Sequence, residues 1–363
     1  MPDRSQKPAL VLHIGFPKCG STSIQSAMIR NQKMLRTRGI VIVDQTFRHP
    51  GQGQAKAVAQ VELGQILAEA DPSEKIAEGL AAISASAIAH GDRVCVISSE
   101  SLGNAKEFAP LFQPAVELFS DITVLAYVRP QHEWLPSAWK QFGLKAGRTL
   151  EDYIAEGMAQ RLPNFLNRIE RWKEDIEGCQ VSVGALRRPA LKDGDLITDA
   201  FSRLGWPTEG LATDARSANS NFDFDILSVM ERAGPVFEGM PLGPLFNYLD
   251  QNLPAHARTS GRQPLDVDLQ LTIMRHYEKY NRALVRRYMP DLTYEQAFGT
   301  EDDLRERDTS DDFETAMART LSYMLLMMQA QHEEIAELRA QLGKPRQVVT
   351  IPRADRAAGP RRP

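Results

Sequence analysis

Leu10-Val-Leu-His-Ile-Gly-Phe-Pro-Lys-Cys-Gly-Ser-Thr-Ser-Ile-Gln25 is the stretch whose reading decides the fold. It opens as an apolar run, breaks at Gly15 and resumes after Gly20 with the apolar spacing of a helix. A strand that ends in a glycine-bounded loop and feeds a helix N-terminus is inherently an anion site. The first N–H groups of the helix lack intrahelical partners, and the helix dipole favours negative charge there. From Gly15 to Thr22 the pattern is G-x-x-x-x-G-S-T, one step from the G-x-x-x-x-G-K-[ST] loop that holds nucleotide phosphates. The lysine is displaced, lying inside the loop as Lys18 rather than after the second glycine. Lys18, the hydroxyls of Ser21, Thr22 and Ser23, and the helix N-terminus converge on a small volume that calls for an anion.

Outward from the loop, the chain alternates strands with helical stretches. Residues 9–15 read as a buried strand and Cys19 to Arg38 as the helix after it, with Ile24, Met28 and Leu35 toward the sheet and Gly39 closing it. Ile40–Val43 is a second strand, 45–54 a polar loop, and 55–89 an Ala-rich helical covering layer. Val94–Ile97 is a third strand running into Ser98-Ser-Glu-Ser101, and Ile122–Val128 a fourth ending at Arg129-Pro130. Near-continuous apolar strands are what a parallel sheet covered on both faces requires. The expected fold is therefore α/β, an open and mainly parallel sheet flanked by helices, with ligands outside the carboxyl ends of the strands. Helical patterns follow over 131–144, 149–158 and 164–176, the last with Leu166, Ile169, Trp172 and Ile176 on one face. Val181–Leu186 reads as a fifth strand and Thr198–Leu204 as a short helix, whereas 206–300 mixes helical fragments with Pro and Gly breaks.

The bulk composition sets limits. The 363 residues are 42% hydrophobic and 25% charged, as in an ordinary globular protein, and the net charge of −4 offers no global basic field to a nucleic acid. Cys19, Cys95 and Cys179 are odd in number and widely spaced, neither a disulfide framework nor a metal signature, which points to a reducing compartment. No apolar run is long enough to span a membrane, so the expected location is cytoplasmic with no integral membrane segment. The division expected is an N-terminal arm (1–8), a globular domain (9–300), a C-terminal helix (301–343) and a basic Pro/Arg-rich disordered tail (344–363). Within 314–342, Met317, Leu321, Met324, Met328, Gln331, Ile335, Leu338 and Leu342 step alternately by four and three residues. This heptad seam with one polar position fits either a long helix lying on the domain or a self-associating coiled coil that makes a homo-oligomer.

A second constellation is Arg129 at a strand tip with Ser137 in the helix beyond it, a guanidinium fork and a hydroxyl able to meet a second phosphate. Glu133, Lys140 and Gln141 share the side of Ser137, whereas Trp134, Ala138 and Phe142 form an apolar face expected in the core. The strand ends carry Ser-Ser-Glu and Arg rather than the Asp that usually helps hold Mg²⁺ in nucleotide hydrolases, so a substrate handled without metal fits better than ATP. For a general base, Glu100 at the end of the third strand is the first choice. His132 is the second, in a context that turns it toward solvent, while His13 within a strand and His49 in a mobile loop are weaker. Cys19, at a helix N-terminus, is read as a packing residue.

His13 to Gln25 resembles the 5′-phosphosulfate loop of the sulfotransferase family, and Arg129 to Ser137 resembles that family's 3′-phosphate element, including its spacing. Val128-Arg-Pro-Gln-His-Glu-Trp-Leu-Pro-Ser-Ala-Trp-Lys-Gln141 and Ile97-Ser-Ser-Glu-Ser-Leu102 are similar to bacterial carbohydrate-type members. The resemblance spans roughly 9–300 and implies a P-loop sulfotransferase-like fold that uses 3′-phosphoadenylyl sulfate (PAPS) without metal to sulfate a hydroxyl of a glycan or glycolipid. On it, Lys18 binds the 5′-phosphate and the bridging oxygen. Cys19, Gly20, Ser21, Thr22 and Ser23 form the cradle, Arg129 and Ser137 hold the 3′-phosphate, and Arg216–Asn221 adds a late nucleotide contact. The alternatives are a P-loop nucleotide kinase or hydrolase, or a non-catalytic nucleotide-binding assembly protein organised by the seam.

Overall fold

The architecture was taken from a computed structural model, which describes residues 7–103, 108–212, 265–306 and 313–342. Five strands form one open, all-parallel sheet: β1 (Ala9–Ile14), β2 (Ile40–Ile42), β3 (Val94–Ser99), β4 (Ile122–Val128) and β5 (Gln180–Ala185), in the order β2-β3-β1-β4-β5. Leu10, Leu12 and Ile14 of β1 and Val124 to Val128 of β4 are buried, as central parallel strands with both faces covered must be. The connection after β1 leads outward to β2 on one side, whereas those after β3 and β4 lead the other way. The direction of winding thus reverses at β1, and a ligand crevice forms at such a reversal, beyond the carboxyl ends of the strands.

The covering layers differ from the sequence reading in instructive places. The expected single helix over 19–38 is two, α1 (Ser21–Arg30) and α2 (Gln32–Arg36), broken at Asn31. Asn31 is buried; its side-chain amide donates to the Ala27 carbonyl and its side-chain oxygen accepts the Ala212 N–H at 3.0 Å, and that demand interrupts the helix. The Ala-rich stretch is likewise two helices, α3 (Gln60–Leu67) and α4 (Ser73–His90), preceded by an isolated bridge between Asp44 and Val58. A short turn of helix, α5 (Ala115–Leu118), leads into β4.

After β4, α6 (Gln131–Ala138) carries Pro136 and opens at Trp139–Gly143 into a wider π-type turn. That turn rotates Phe142 out of the apolar face, so it is 45% exposed and not in the core, whereas Trp134 and Ala138 are buried as expected. Helices α7 (Leu150–Ala159), α8 (Phe165–Asp175) and α9 (Leu196–Arg203) follow, and α8 buries Leu166, Ile169 and Trp172. Within 206–300, where the residue pattern assigns no element, α10 (Val267–Tyr288) is a 22-residue helix. Its Asn281 exchanges two amide hydrogen bonds, 2.8 and 2.9 Å, with Gln131 at the start of α6. Short α11 (Tyr294–Phe298) and α12 (Glu301–Glu306) complete the body, Leu304 packing on Leu271 and Met274 of α10. The last helix is α13 (Phe313–Gln341). Among the described residues no helix is long and apolar enough to cross a membrane. Arg216–Asn221 and the tail from 344 lie outside the described residues.

Candidate functional site

The site forms where β1, β3 and β4 end side by side. The Gly15 N–H donates to the Ser99 carbonyl at 3.1 Å, which carries the sheet ladder one residue beyond β1 and sets the loop beside Glu100. Gly15 has to be glycine for that approach, because a Cβ there would lie 2.7 Å from the Ser21 Oγ and 2.9 Å from the Glu100 Cγ. Gly103 serves the same end from the other side; its Cβ would stand 2.7 Å from the Gly15 carbonyl oxygen.

Two anchors hold the loop. Phe16 is buried, meeting Phe165 edge-on with ring centroids 5.0 Å apart, and the Trp134 indole N–H donates to the Pro17 carbonyl at 2.7 Å. Just beyond them Lys18 adopts φ 64° and Gly20 φ 86°, left-handed values that turn the chain sharply into α1. Lysine tolerates this conformation at a cost of order 1–2 kcal/mol. The N-cap of α1 is Gly20, which has no side chain to offer its first N–H groups.

The hydroxyls divide their roles. Ser21 is buried and its Oγ donates to the Phe16 carbonyl at 3.1 Å, so it braces the loop and offers a ligand only its backbone N–H. Thr22 is exposed and Ser23 half-buried. The Cys19 side chain is buried, and burial pushes its thiol far up while Arg129 pulls against the shift, which fits the packing role read from the sequence.

Glu100 is half-buried beside this loop; burial raises its carboxyl above the ordinary value, and the Lys18 ammonium partly offsets the rise. Its backbone N–H donates to the Gln60 side-chain oxygen at 2.5 Å, and Gln25 of α1 donates to the same oxygen at 3.4 Å. The layer read as mere covering therefore supplies Gln60, which fixes Glu100. Just past the end of β4, Arg129 donates through Nε to Glu133 at 3.1 Å, and Glu133 stands one helical turn before the half-buried Ser137. Cys19 feels the charges of both Arg129 and Glu100, so the two strand ends flank one loop.

The histidines fall differently from the sequence reading. His132 is buried rather than turned to solvent. His49, expected in a mobile loop, has its Nε2 2.9 Å from Asp92 Oδ2 and its ring stacked on His90. His13 is buried within β1, with Nδ1 2.7 Å from the Ser98 Oγ, and burial lowers its pKa to about 4. The residues that hold the loop and Glu100 in place, Trp134, Gly103 and Gln60, are not among the sequence-predicted site residues, and of these only the glycine carries a sequence signal, two residues after the polar run Ser98–Ser101.

Compared with known proteins, the chain matches no family model and no curated protein. Among solved structures it is similar to the signal recognition particle 54 kDa protein of Aeropyrum pernix K1, solved in complex with GDP. The identity is 13%, over 91% of this chain and 78% of that one, with a TM-score of 0.27, a likeness too distant to say anything about activity.

Proposed function

We propose that the protein is a sulfotransferase that moves the sulfuryl group of 3′-phosphoadenylyl sulfate to a hydroxyl of a glycan or glycolipid, in line and without a metal ion. The observation that carries this reading is the position of Lys18, inside the glycine loop and acting electrostatically on Glu100, with Arg129 on the neighbouring strand end. Sulfuryl transfer needs little covalent help; positioning and stabilisation of charge on the leaving phosphate dominate. Lys18 and the N-terminus of α1 supply positive charge where a 5′-phosphate would be held, and Arg129 with Ser137 offers a second, separate anion subsite for the 3′-phosphate. Glu100, ionised, accepts the acceptor's hydroxyl proton as the oxygen–sulfur bond forms and the bond to the leaving phosphate breaks. His132 is the second candidate for that role, and its burial makes Glu100 the stronger one. The likeness of the loop and of the Arg129–Ser137 segment to bacterial carbohydrate-type sulfotransferases supports the donor and the acceptor class. Three free, buried cysteines support a reducing, cytoplasmic setting.

The near-match of Gly15–Thr22 to the phosphate loop of nucleotide kinases and hydrolases favours that class as the second reading. A thermal-shift series with 3′,5′-ADP, 5′-AMP and Mg²⁺–ATP separates them. A ligand that binds only the folded state stabilises it by RT ln(1 + [L]/Kd), about 2.7 kcal/mol at a hundredfold excess over Kd. The sulfotransferase reading expects the largest shift from 3′,5′-ADP and loss of its advantage over AMP in Arg129→Ala. Equal shifts from 3′,5′-ADP and AMP would refute it, and a shift confined to Mg²⁺–ATP would favour the kinase. With labelled donor and a panel of glycans, undiminished transfer by Lys18→Ala would sink the mechanism, and binding without transfer would leave the assembly protein.

A further inference from the structure

The heptad seam of α13 does not face the body of the protein. Tyr323 and Met327 pack on the core and Thr320 is buried, so the face that docks is the one beside the seam. The seam itself stands in solvent from Met317, 40% exposed, to Leu342, 69% exposed. From Met328 onward the helix carries no buried residue. A helix that projects in this way gains little from propensity alone, and its stability has to come from burial of an apolar face.

We propose that this seam closes on the same seam of a second copy of the chain, as a parallel, in-register two-stranded coiled coil. A strict seven-residue apolar period is satisfied by a supercoiled partner of the same period, and a second copy brings one. Placing Leu321, Met328, Ile335 and Leu342 at the a positions puts Met324 and Leu338 at d. Glu334 then falls at g and Arg339 at e. In a parallel pair these are the positions that meet across the interface, five residues apart, so each Glu334 faces the partner's Arg339. Gln331, the one polar residue of the seam, meets its own copy only when the helices are parallel and in register, where two amides can bond each other. Leu325, at e and exposed, widens the apolar strip on the side away from the docked face. In the sequence the heptad pattern stops at Leu342, before Gly343 and Pro345. This pairing is independent of the chemistry assigned to the glycine loop.

Sedimentation equilibrium of the full chain over two decades of concentration is the first test, and it should return twice the chain mass of 40.5 kDa. Leu338→Asp should shift the protein to monomer, with the fold of the body reported by an unchanged near-ultraviolet spectrum. Glu334→Arg should weaken the dimer several-fold, and Glu334→Arg with Arg339→Glu should restore it. Orientation is read with Leu342→Cys, since the three native cysteines are buried. Mild oxidation should link two chains in the parallel arrangement, whereas in an antiparallel pair those thiols would stand about 43 Å apart along a 29-residue helix. A wild-type monomer at every concentration, a trimer or larger assembly, or a dimer that Leu342→Cys fails to cross-link would each overturn the proposal.

Discussion

His13 offers a quantitative check on how β1 is buried. Its imidazole is enclosed in the sheet with Nδ1 on the Ser98 hydroxyl, and burial lowers its pKa from 6.5 to about 4. Above pH 6.5 the ring is neutral in both folded and unfolded chains, and the shift has no effect. As the pH falls below 6.5 the unfolded chain takes up a proton that the folded chain refuses until about pH 4, so the folded state loses stability across that window. The gap between the two values corresponds to a full loss of roughly 3 kcal/mol, most of it already incurred at pH 4.5. His13→Gln keeps a hydrogen-bonding group near Ser98 and cannot take up a proton in this range. Urea denaturation of both proteins between pH 7.5 and 4.5 therefore isolates the histidine. The wild type should lose roughly 2–3 kcal/mol more than His13→Gln on reaching pH 4.5. Parallel stability curves for the two would refute the reasoning, because a ring open to water protonates alike in both states.

Four further outcomes concern the loop. Gly103→Ala drives a methyl against the Gly15 carbonyl, a backbone atom that cannot swing aside, and should cost about 1–3 kcal/mol in denaturant midpoint while weakening 3′,5′-ADP binding in titration calorimetry. Trp134→Phe keeps most of the packing but strands the Pro17 carbonyl; a loss of about 1–2 kcal/mol and a weaker nucleotide shift are expected, and unchanged nucleotide affinity would dismiss the indole as a loop anchor. If Glu100 is the base, transfer should rise with pH through a pKa above the usual carboxylate range and fall about 10²–10⁴-fold in Glu100→Gln. Residual transfer by Lys18→Ala should show that rise displaced to higher pH, since the opposing charge is gone; a displacement to lower pH contradicts the pairing.

Much of the frame was legible because strand burial in a parallel sheet writes itself as continuous apolar runs. β1, β3 and β4 stand where Leu10, Val94 and Ile122 begin such runs, and the glycines and charged residues that end them mark the site. Helix interruptions were not legible, because they depend on distant partners. Asn31 breaks its helix in part for an N–H at Ala212, and Phe142 leaves the apolar face only because the helix widens after Ala138. Gln60 is a similar case: nothing in an Ala-rich covering stretch tells that one amide reaches the backbone of Glu100. Local pattern records what each segment buries, and these residues are spent on what another segment needs.

The left-handed turn at Lys18 carries a consequence for how this chain can vary. A residue with a Cβ is held at φ 64° just after the anchored Phe16-Pro17 pair, so the position is a standing conflict between folding and charge. Lys18→Gly should raise the thermal midpoint and Lys18→Ala should not, while both lose the ammonium; equal midpoints would mean the turn is not strained. Drift under selection for stability alone would replace this lysine by glycine. A lineage that keeps it is reporting that the charge is in use, which makes position 18 the place to look when asking whether a related chain is fit for the chemistry proposed for this loop.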